Sequence, residues 1–230
     1  MKGNLKALLA DTLSPEELKI LYKSYDIVGD VAIIRVPEPL KRHSKIIAKG
    51  VMQSNKSIRT VLHQVAPVSG DLRLRKLKWI VGDRKTETLH KEYGCLFKID
   101  LAKCYFSPRL SFERMRIAQL VQPNEVVVNM FAGVGCYSVI IARHAKAEKV
   151  YSIDINPVAV GYIEENARLN KVQDRVVPIE GDAKIIIEEK LQNVADRVLM
   201  PLPEKAYEYL DYAVHALKPT VGYVHYYDFE

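Results

Sequence analysis

The sequence is poor in cysteine and contains no long apolar run. Its three cysteines, Cys95, Cys104 and Cys136, form no CxxC pair, so we expect neither a disulfide framework nor a bound metal. No stretch reaches the roughly 20 apolar residues that span a bilayer, and the first residues lack the pattern of a secretory signal. Free thiols and the lack of such segments predict a cytoplasmic protein that is not attached to a membrane.

Glycine and proline are present at ordinary frequency, with 11 of each in 230 residues. This composition, with 48% apolar and 27% charged residues, excludes collagen-like, low-complexity and disordered chains. The length suits one large domain or two small ones, at roughly 100–200 residues per domain.

Positive charge is concentrated in the first part of the chain. Residues 1–150 contain 26 Lys and Arg against 14 Asp and Glu, which gives a net charge of +12. Residues 151–230 contain 8 against 14, which gives a net charge of −6. The basic segment predicts that the first part of the chain meets an anionic partner.

The first hundred residues are expected to form a small, basic α+β domain. Ser14 followed by proline and two acids predicts a helix that runs to about Tyr25. In the segment 70–82, cations partly alternate with apolar residues, which predicts one long strand with a charged face. The other predicted elements are strands at 31–36 and 59–65, a helix at 39–53, and a hairpin at 86–90 and 94–99.

From about residue 108 the chain alternates between helical and strand patterns. The predicted strands are 125–129, 149–153, 176–180, 197–200 and 221–226, and the predicted helices are 108–120, 137–144, 157–170, 183–191 and 204–216. Such alternation predicts an α/β fold with a parallel, doubly wound sheet. We therefore predict two domains, residues 1–100 and residues 101–230.

Three strand ends in the second domain carry residues suited to a nucleoside cofactor. The first strand runs into a loop with Gly133 and Gly135, where glycine lets the backbone approach a ligand. Asp154 ends the second strand, where an acid binds ribose hydroxyls, and Asp182 follows the third. The loop lacks the third glycine of a dinucleotide-binding fingerprint. Both acids have a structural alternative as helix caps, although Asn156 is the better cap after Asp154.

Several segments together resemble a known enzyme family. The runs Asn129–Gly135, Asp154–Pro157 and Gly181-Asp182 resemble class I S-adenosylmethionine-dependent methyltransferases. The runs His90–Cys95, Tyr105–Leu110 with Glu113-Arg114, Leu202-Pro203 and Val224–Tyr227 resemble archaeal and eukaryotic tRNA (guanine-37, N1)-methyltransferases and related wybutosine-pathway enzymes. The resemblance covers roughly residues 28–230. It implies a class I, Rossmann-like methyltransferase domain preceded by the small α+β domain.

The resemblance implies methylation of the purine beside the tRNA anticodon, with S-adenosylmethionine as cofactor. It assigns Glu113 as the base that takes the N1 proton and Arg73 as the cation facing the charge that develops at O6. The implied cofactor-binding residues are Arg114, Met130, Phe131, Ala132, Gly133, Asp154, Ile155, Asp182, Ala183 and Pro201. The implied substrate-binding residues are Arg75, Arg109, Pro201 and Pro203. From the residues alone, the favoured interpretation of Glu113 is a solvated helix acid among arginines. For Arg73 the alternative is one more cation facing phosphate.

The sequence departs from the family at three places. The family's Asn-Leu-Pro segment is Pro201-Leu202-Pro203 here, and proline lacks the amide that asparagine offers to a base. An archaeal branch with this proline resembles a bifunctional enzyme, so we expect methylation of guanosine N1 and also of C7 in 4-demethylwyosine. Asn129 stands where an acid is common. Relatives also extend past the His-Tyr-Tyr segment, which implies an open sheet edge and reduced tRNA affinity in this chain.

Two other functions are open at this point. One is transfer of the aminocarboxypropyl group of the same cofactor, against which Leu202-Pro203 argues. The other is RNA binding without catalysis. The expected partner is the anticodon region of tRNA, and the protein is expected to act as a monomer.

Overall fold

A computed structural model describes residues 5–229, and the chain divides into two compact units. Of the described residues, the first unit comprises those up to residue 90 and residues 100–108, and the second comprises residues 91–99 and those from residue 109 onward. These bounds differ from a single division at residue 100 because a hairpin, β5 (Glu87–Glu92) and β6 (Cys95–Asp100), contributes to both units. The two domains predicted from the sequence stay a prediction, and their residues 1–4 and 230 lie outside the described part of the chain.

The first unit is built on a four-stranded mixed sheet. Strands β2 and β3 are parallel at its centre, and β1 and β4 pair antiparallel at its edges. Ile34 and Val61 of the sheet are buried in one cluster with Ile47 and Val51 of α3. The strands are β1 (Asp26–Val28), β2 (Val31–Ile34), β3 (Thr60–Gln64) and β4 (Leu77–Gly82). The helices are α1 (Leu5–Leu8), α2 (Pro15–Ile20), a 3₁₀ helix (Glu38–His43) and α3 (Ser44–Ser54).

The predicted start of α2 is confirmed, but its predicted end is wrong. Ser14 and Glu17 form a reciprocal capping box at the start. The helix stops at Ile20, and the residues that follow lead into β1, which pairs with β2 across a tight turn. Gly29 makes this turn with φ of +56°, and a Cβ there would lie only 2.2 Å from the Thr88 hydroxyl.

The single strand predicted for residues 70–82 is also wrong. Only Leu77–Gly82 is a strand, and the residues before it form a tight turn. Arg73 adopts φ of +51° and donates its backbone N–H to the Gly70 carbonyl. A left-handed residue interrupts the alternation of faces that a strand requires, so Arg73 and Arg75 are not on one charged strand face.

The second unit contains the predicted parallel sheet, with five strands in the order β11-β10-β7-β8-β9. The strands are β7 (Val126–Asn129), β8 (Lys149–Asp154), β9 (Val176–Glu180), β10 (Arg197–Met200) and β11 (Tyr223–Tyr226). The helices are a 3₁₀ helix (Pro108–Leu110), α4 (Ser111–Leu120), α5 (Cys136–His144), α6 (Pro157–Leu169), α7 (Ala183–Lys190) and α8 (Pro203–Ala216). The α/β fold expected for this part of the chain is confirmed.

The strand order creates a switch point beside β7. The chain moves from β7 through β8 to β9 on one side, then returns to β10 and β11 on the other. Ligands of open α/β sheets bind at the carboxyl ends of the strands where the order reverses. The loop after Asn129, Asp154 and the turn after Met200 therefore gather at the edge where a ligand is expected.

Within residues 5–229, no helix is both long enough and apolar enough to cross a membrane.

Candidate active site

The loop after β7 is held by both neighbouring strands. The Ala132 backbone N–H donates to the Ile153 carbonyl of β8 at 2.8 Å, and the Met130 N–H donates to the Leu199 carbonyl of β10 at 3.0 Å. Gly135 ends the loop with φ of +83° and caps α5. Because these hydrogen bonds hold both sides of the loop, its backbone has a fixed position at the switch point.

Asp154 connects this loop to the end of β8. Its Oδ2 accepts the Gly133 N–H at 2.7 Å, and its Oδ1 accepts the Asn156 N–H at 2.9 Å. Burial raises the pKa of the Asp154 carboxyl, although both hydrogen bonds oppose this shift. Asn156 caps α6 by accepting the Val158 N–H, as expected for the better cap, whereas the binding of ribose by Asp154 stays a prediction. Asp154 is a pre-positioned carboxylate, and each of its oxygens keeps a lone pair for a ligand hydroxyl.

Asp182 lies after β9 and has two intramolecular partners. It caps α7 by accepting the Lys184 N–H at 2.9 Å, as its structural alternative proposed. Its Oδ2 also accepts the Tyr209 hydroxyl of α8 at 3.1 Å. The Tyr209 ring packs edge-on against Phe131 of the β7 loop, with 5.1 Å between centroids. Tyr209 thus joins two of the segments predicted to hold a cofactor.

The remaining predicted cofactor residues differ in their exposure. Ile155 follows β8 and is 52% exposed, which is high for a large apolar side chain. Met130, Ala132 and Ala183 are buried, so only their backbone is placed to meet a ligand. The exposed Ile155 surface suits the flat face of an aromatic base.

The turn between β10 and α8 contains the proline departure. Pro201 and Leu202 are half-buried, and the Leu202 N–H donates to the Met200 carbonyl at 2.8 Å. Pro203 is the first residue of α8, where its missing N–H costs nothing. Because Pro201 has no N–H and no polar side chain, its carbonyl is the only polar group it offers to a substrate.

Glu113 lies in the first turn of α4 and is held by two other side chains. Arg116 binds it with Nε to Oε2 at 2.7 Å and Nη2 to Oε1 at 2.6 Å. Tyr227 donates its hydroxyl to Oε1 at 2.6 Å. Only 22% of the Glu113 side chain is exposed, and these bonds hold the pKa of its carboxyl below the ordinary range. Since Tyr227 directly follows β11, Glu113 lies near the same carboxyl edge of the sheet.

Arg114, the next residue, points into a different environment. Its Nη1 binds Oε2 of Glu92, the last residue of β5, at 2.7 Å. Both side chains are almost completely buried, so this ion pair anchors the first turn of α4 to the hairpin. Removing one partner of such a pair leaves an uncompensated charge, which costs about 3–5 kcal/mol.

Arg73 and Arg75 belong to the first unit and have different surroundings. The Arg73 guanidinium lies over the Tyr105 ring, 4.7 Å from its centroid. Arg75 is 9% exposed and donates to Asp26, to Gln64 and to the Phe106 carbonyl. These contacts give Arg75 a structural task, and its binding of substrate stays a prediction. Arg109, in the second unit, is exposed at the start of the α4 region.

Asn129 ends β7 inside a buried hydroxyl network. Its Nδ2 donates to Ser138 at 3.2 Å, and the Ser152 hydroxyl donates to the same oxygen at 2.7 Å. All three residues are fully buried. A neutral amide avoids the cost of burying a carboxylate beside two hydroxyls. Among the described residues no group of three or more His, Cys, Asp or Glu is arranged to hold a metal.

Comparison with known families decides the relationship. A family model described as the TRM5/TYW2 methyltransferase domain matches residues 88–230, and one described as the TYW2 N-terminal domain matches residues 5–86. The chain belongs to the TRM5/TYW2 methyltransferase family. The resemblance drawn from its motifs is confirmed.

Curated relatives of this TRM5/TYW2 chain are named for two different transfers. The tRNA (guanine(37)-N(1))-methyltransferase Trm5b of Pyrococcus abyssi is 44% identical over 94% of this chain and 63% of its own. The tRNA (guanine(37)-N(1))/4-demethylwyosine(37)-methyltransferase Taw22 of Nanoarchaeum equitans is 42% identical over 65% of this chain and 49% of its own. A tRNA(Phe) (4-demethylwyosine(37)-C(7)) aminocarboxypropyltransferase of Methanocaldococcus jannaschii is 37% identical over 89% of this chain and 77% of its own. The chain spans less than two thirds of both methyltransferases.

Solved structures of the TRM5/TYW2 family agree with this fold. The crystal structure of Pyrococcus abyssi Trm5b matches with a TM-score of 0.84 and 43% identity, over 94% of this chain and 63% of that one. A complex of aTrm5 with tRNALeu matches with a TM-score of 0.84 and 34% identity, over 95% of this chain and 63% of that one. Pyrococcus horikoshii TYW2 in complex with MeSAdo matches with a TM-score of 0.79 and 31% identity, over 98% of this chain and 79% of that one.

Sequence reasoning missed the residues that support the predicted ones. Arg116 and Tyr227 hold the Glu113 carboxylate, but the sequence motifs assign neither of them a contact with it. Tyr209 and Glu92 were not singled out. The helical spacing of Glu113 and Arg116 was a usable signal. The contact of Tyr227 with Glu113 spans 114 residues of sequence, and no local pattern reports it.

Proposed function

We propose that this chain is an S-adenosylmethionine-dependent tRNA methyltransferase that acts on the purine at position 37. Its targets are N1 of guanosine and also C7 of 4-demethylwyosine. One observation carries the proposal: Tyr227 and Arg116 hold the Glu113 carboxylate near the carboxyl edge of the sheet, where the β7 loop and Asp154 also lie. A negatively charged base beside a nucleoside-binding edge is what deprotonation of a purine requires.

The cofactor residues of the proposal fit a nucleoside. Asp154 offers a fixed carboxylate for ribose hydroxyls, Ile155 an exposed apolar surface for adenine, and Asp182 a carboxylate for its edge. Phe131, Gly133 and the loop backbone would lie along the rest of the molecule, with Arg114, Met130, Ala132, Ala183 and Pro201 also assigned to this site. The bound cofactor supplies a methyl group from its sulfonium. The complex of the related TYW2 with MeSAdo supports this assignment.

In the proposed reaction Glu113 takes the N1 proton of guanine. Its pKa is held low, so the carboxylate is charged at neutral pH and ready to accept a proton. Negative charge then develops at O6, and we assign the Arg73 guanidinium to face it. The packing of Arg73 on Tyr105 restricts the guanidinium, which supports a fixed orientation. Arg75 is assigned to the same substrate-binding segment, acting through its buried contacts.

The turn at Pro201 supports the wider substrate range. Because Pro201 has no amide side chain, the site forms fewer hydrogen bonds with the edge of guanine. It therefore also accepts the flatter tricyclic base. Arg109 and Pro203 are assigned to the substrate side as well. The relative Taw22, which is named for both methylations, supports this dual range. Leu202-Pro203 argues against aminocarboxypropyl transfer, although one relative is named for that reaction.

The proposed partner is tRNA, bound through its anticodon region by a protein that acts as a monomer in the cytoplasm. The related complex of aTrm5 with tRNALeu and the positive charge of residues 1–150 support an RNA partner. The three free, buried thiols suit a reducing compartment.

The test is a Glu113→Gln variant assayed for N1-methylation of guanosine-37 tRNA. We expect kcat to fall by about 10²–10⁴-fold, because glutamine cannot take the proton. Affinity for S-adenosylmethionine, measured by calorimetry, should stay within about twofold of the wild type, given the precision of such measurements. The exposed Glu164→Gln on α6 is the matched control. Loss of cofactor binding in Glu113→Gln, or full activity, would contradict the role of Glu113.

A further inference from the structure

The three hydrogen bonds on Glu113 divide unequally between its two oxygens. Oε1 accepts from Arg116 Nη2 and from the Tyr227 hydroxyl, both at 2.6 Å, whereas Oε2 accepts only from Arg116 Nε at 2.7 Å. A carboxylate oxygen has two lone pairs. The described contacts therefore occupy both lone pairs of Oε1 and leave one on Oε2.

We infer that Tyr227 is a positioning residue for the base: by occupying Oε1, it directs the substrate proton to Oε2 of Glu113. This inference rests on the proposed function. In the reaction, the N1–H bond of guanine breaks and its proton passes to Oε2. The methyl carbon leaves the sulfonium and bonds to N1, and the sulfur keeps the electron pair of the broken bond as a neutral thioether.

The groups around Glu113 suit this arrangement over the working pH range. Burial raises the pKa of Tyr227 and of Tyr137 on α5, so both phenols stay protonated and Tyr227 stays a donor. Burial and the charge of Arg197 lower the pKa of His225 to about 4, so this residue of β11 is neutral. Arg116, on the same helix as Glu113, stays charged. The carboxylate thus keeps one set of partners from weakly acidic to alkaline pH.

Tyr227 also restricts the rotation of the Glu113 side chain. Arg116 lies one turn along the same helix and is 46% exposed, so it would follow the carboxylate in several rotamers. Tyr227 belongs to the strand end instead, so its hydroxyl fixes the carboxylate relative to the sheet. The neighbouring Tyr226 is exposed, and its hydroxyl donates to Asp228 at 3.4 Å. Tyr226 is therefore a matched control with the same chemistry and a different contact.

The decisive experiment titrates Glu113 directly. Protein carrying ¹³C-labelled glutamate is followed by NMR from acid to neutral pH, and the Glu113 carboxyl signal is identified by its loss in Glu113→Gln. We expect the pKa of Glu113 to rise in Tyr227→Phe, because a donor to the charged form is removed, and to stay unchanged in Tyr226→Phe. An unchanged pKa of Glu113 in Tyr227→Phe would overturn the inference.

Single-turnover methylation provides the second readout. Tyr227→Phe should slow N1-methylation by about tenfold, with cofactor affinity unchanged, and should move the acid limb of the pH–rate profile to higher pH. In a Glu113→Gln background the same substitution should have no further effect. An equal loss in both backgrounds would assign Tyr227 a structural role only and overturn the inference. If the wild type transfers no methyl group, the proposed function fails, while the titration still decides whether Tyr227 controls Glu113.

Discussion

At the scale of single residues, the carboxylates of the site are distinguished by their surroundings. Asp154 is buried between two backbone N–H donors, whereas Glu113 is bound by an arginine and a phenol. Burial raises the pKa of the first, and charge-assisted bonds lower the pKa of the second. Both acids gain a proton as pH falls, but their pKa values are shifted in opposite directions, so titration can separate cofactor binding from catalysis.

Asp154 should make cofactor binding sensitive to mild acid. We propose that its carboxylate binds ribose when charged. Its pKa is raised, so affinity for S-adenosylmethionine should fall as pH decreases through a value above the ordinary aspartate range. Asp154→Asn should weaken binding by about tenfold or more at neutral pH and flatten this pH dependence. Calorimetry across pH is the measurement.

The exposed Asp174, which lies before β9, provides the control for that experiment. Asp174→Asn removes one carboxylate of the same unit without touching the site, so it should keep the affinity and the pH dependence of the wild type. An Asp154→Asn variant that behaves like Asp174→Asn would remove Asp154 from the cofactor site.

At the scale of elements, we propose that the turn between β10 and α8 determines substrate range. Pro201→Asn restores the amide donor and acceptor that the family motif has at this position. We expect the ratio of guanosine N1-methylation to 4-demethylwyosine C7-methylation to rise by about tenfold, the size expected for one well-placed hydrogen bond. Parallel assays on the two tRNA substrates measure it. Pro219→Asn, in the exposed loop after α8, is the control, and an equal response of both activities would contradict the role of this turn.

Elements whose patterns are local were predicted well from the sequence. Strands β7 to β10 are short apolar runs bounded by turn residues, and the structure has them within one residue of the predicted bounds. The strand predicted for 70–82 failed because Arg73 takes a left-handed conformation that no pattern of side chains encodes. Strand β1 was missed because its three residues are ordered by pairing with β2.

The candidate site shows the same difference between features set by local sequence and features set by distant contacts. The β7 loop, Asp154 and Asp182 follow strand ends, so their positions could be inferred from local sequence and the rule for parallel sheets. The contacts that hold them could not, because Tyr209 reaches Asp182 from 27 residues away and Tyr227 reaches Glu113 from 114. The chemistry of Asp182 and of Glu113 depends on these distant partners, so only the location of these two acids was predictable.

At the scale of the whole molecule, the two proposed ligands are assigned to parts of the chain with opposite net charge. The excess of basic residues lies in 1–150, whereas Asp154 and Asp182, assigned to a cofactor with a cationic sulfonium, lie in the acidic remainder. The basic part is proposed to bind tRNA phosphates, and the acidic part to bind the cofactor.

Affinity for tRNA should therefore depend strongly on salt. Neutralised phosphates release counterions, so the dissociation constant should increase by more than about tenfold between about 50 mM and about 200 mM monovalent salt. Cofactor affinity should change far less over the same range. Filter binding with labelled tRNA measures the first and calorimetry the second. A flat salt response for tRNA would count against RNA as the partner.

We propose that this TRM5/TYW2 chain transfers a methyl group, although its relatives include an aminocarboxypropyltransferase. The most direct test incubates the protein with guanosine-37 tRNA or 4-demethylwyosine-37 tRNA and S-adenosylmethionine carrying different isotopes in its methyl and aminocarboxypropyl groups. Mass spectrometry of the digested nucleosides then shows which group has moved. We expect the methyl label on position 37 of both substrates. The aminocarboxypropyl label, or neither label, would contradict it.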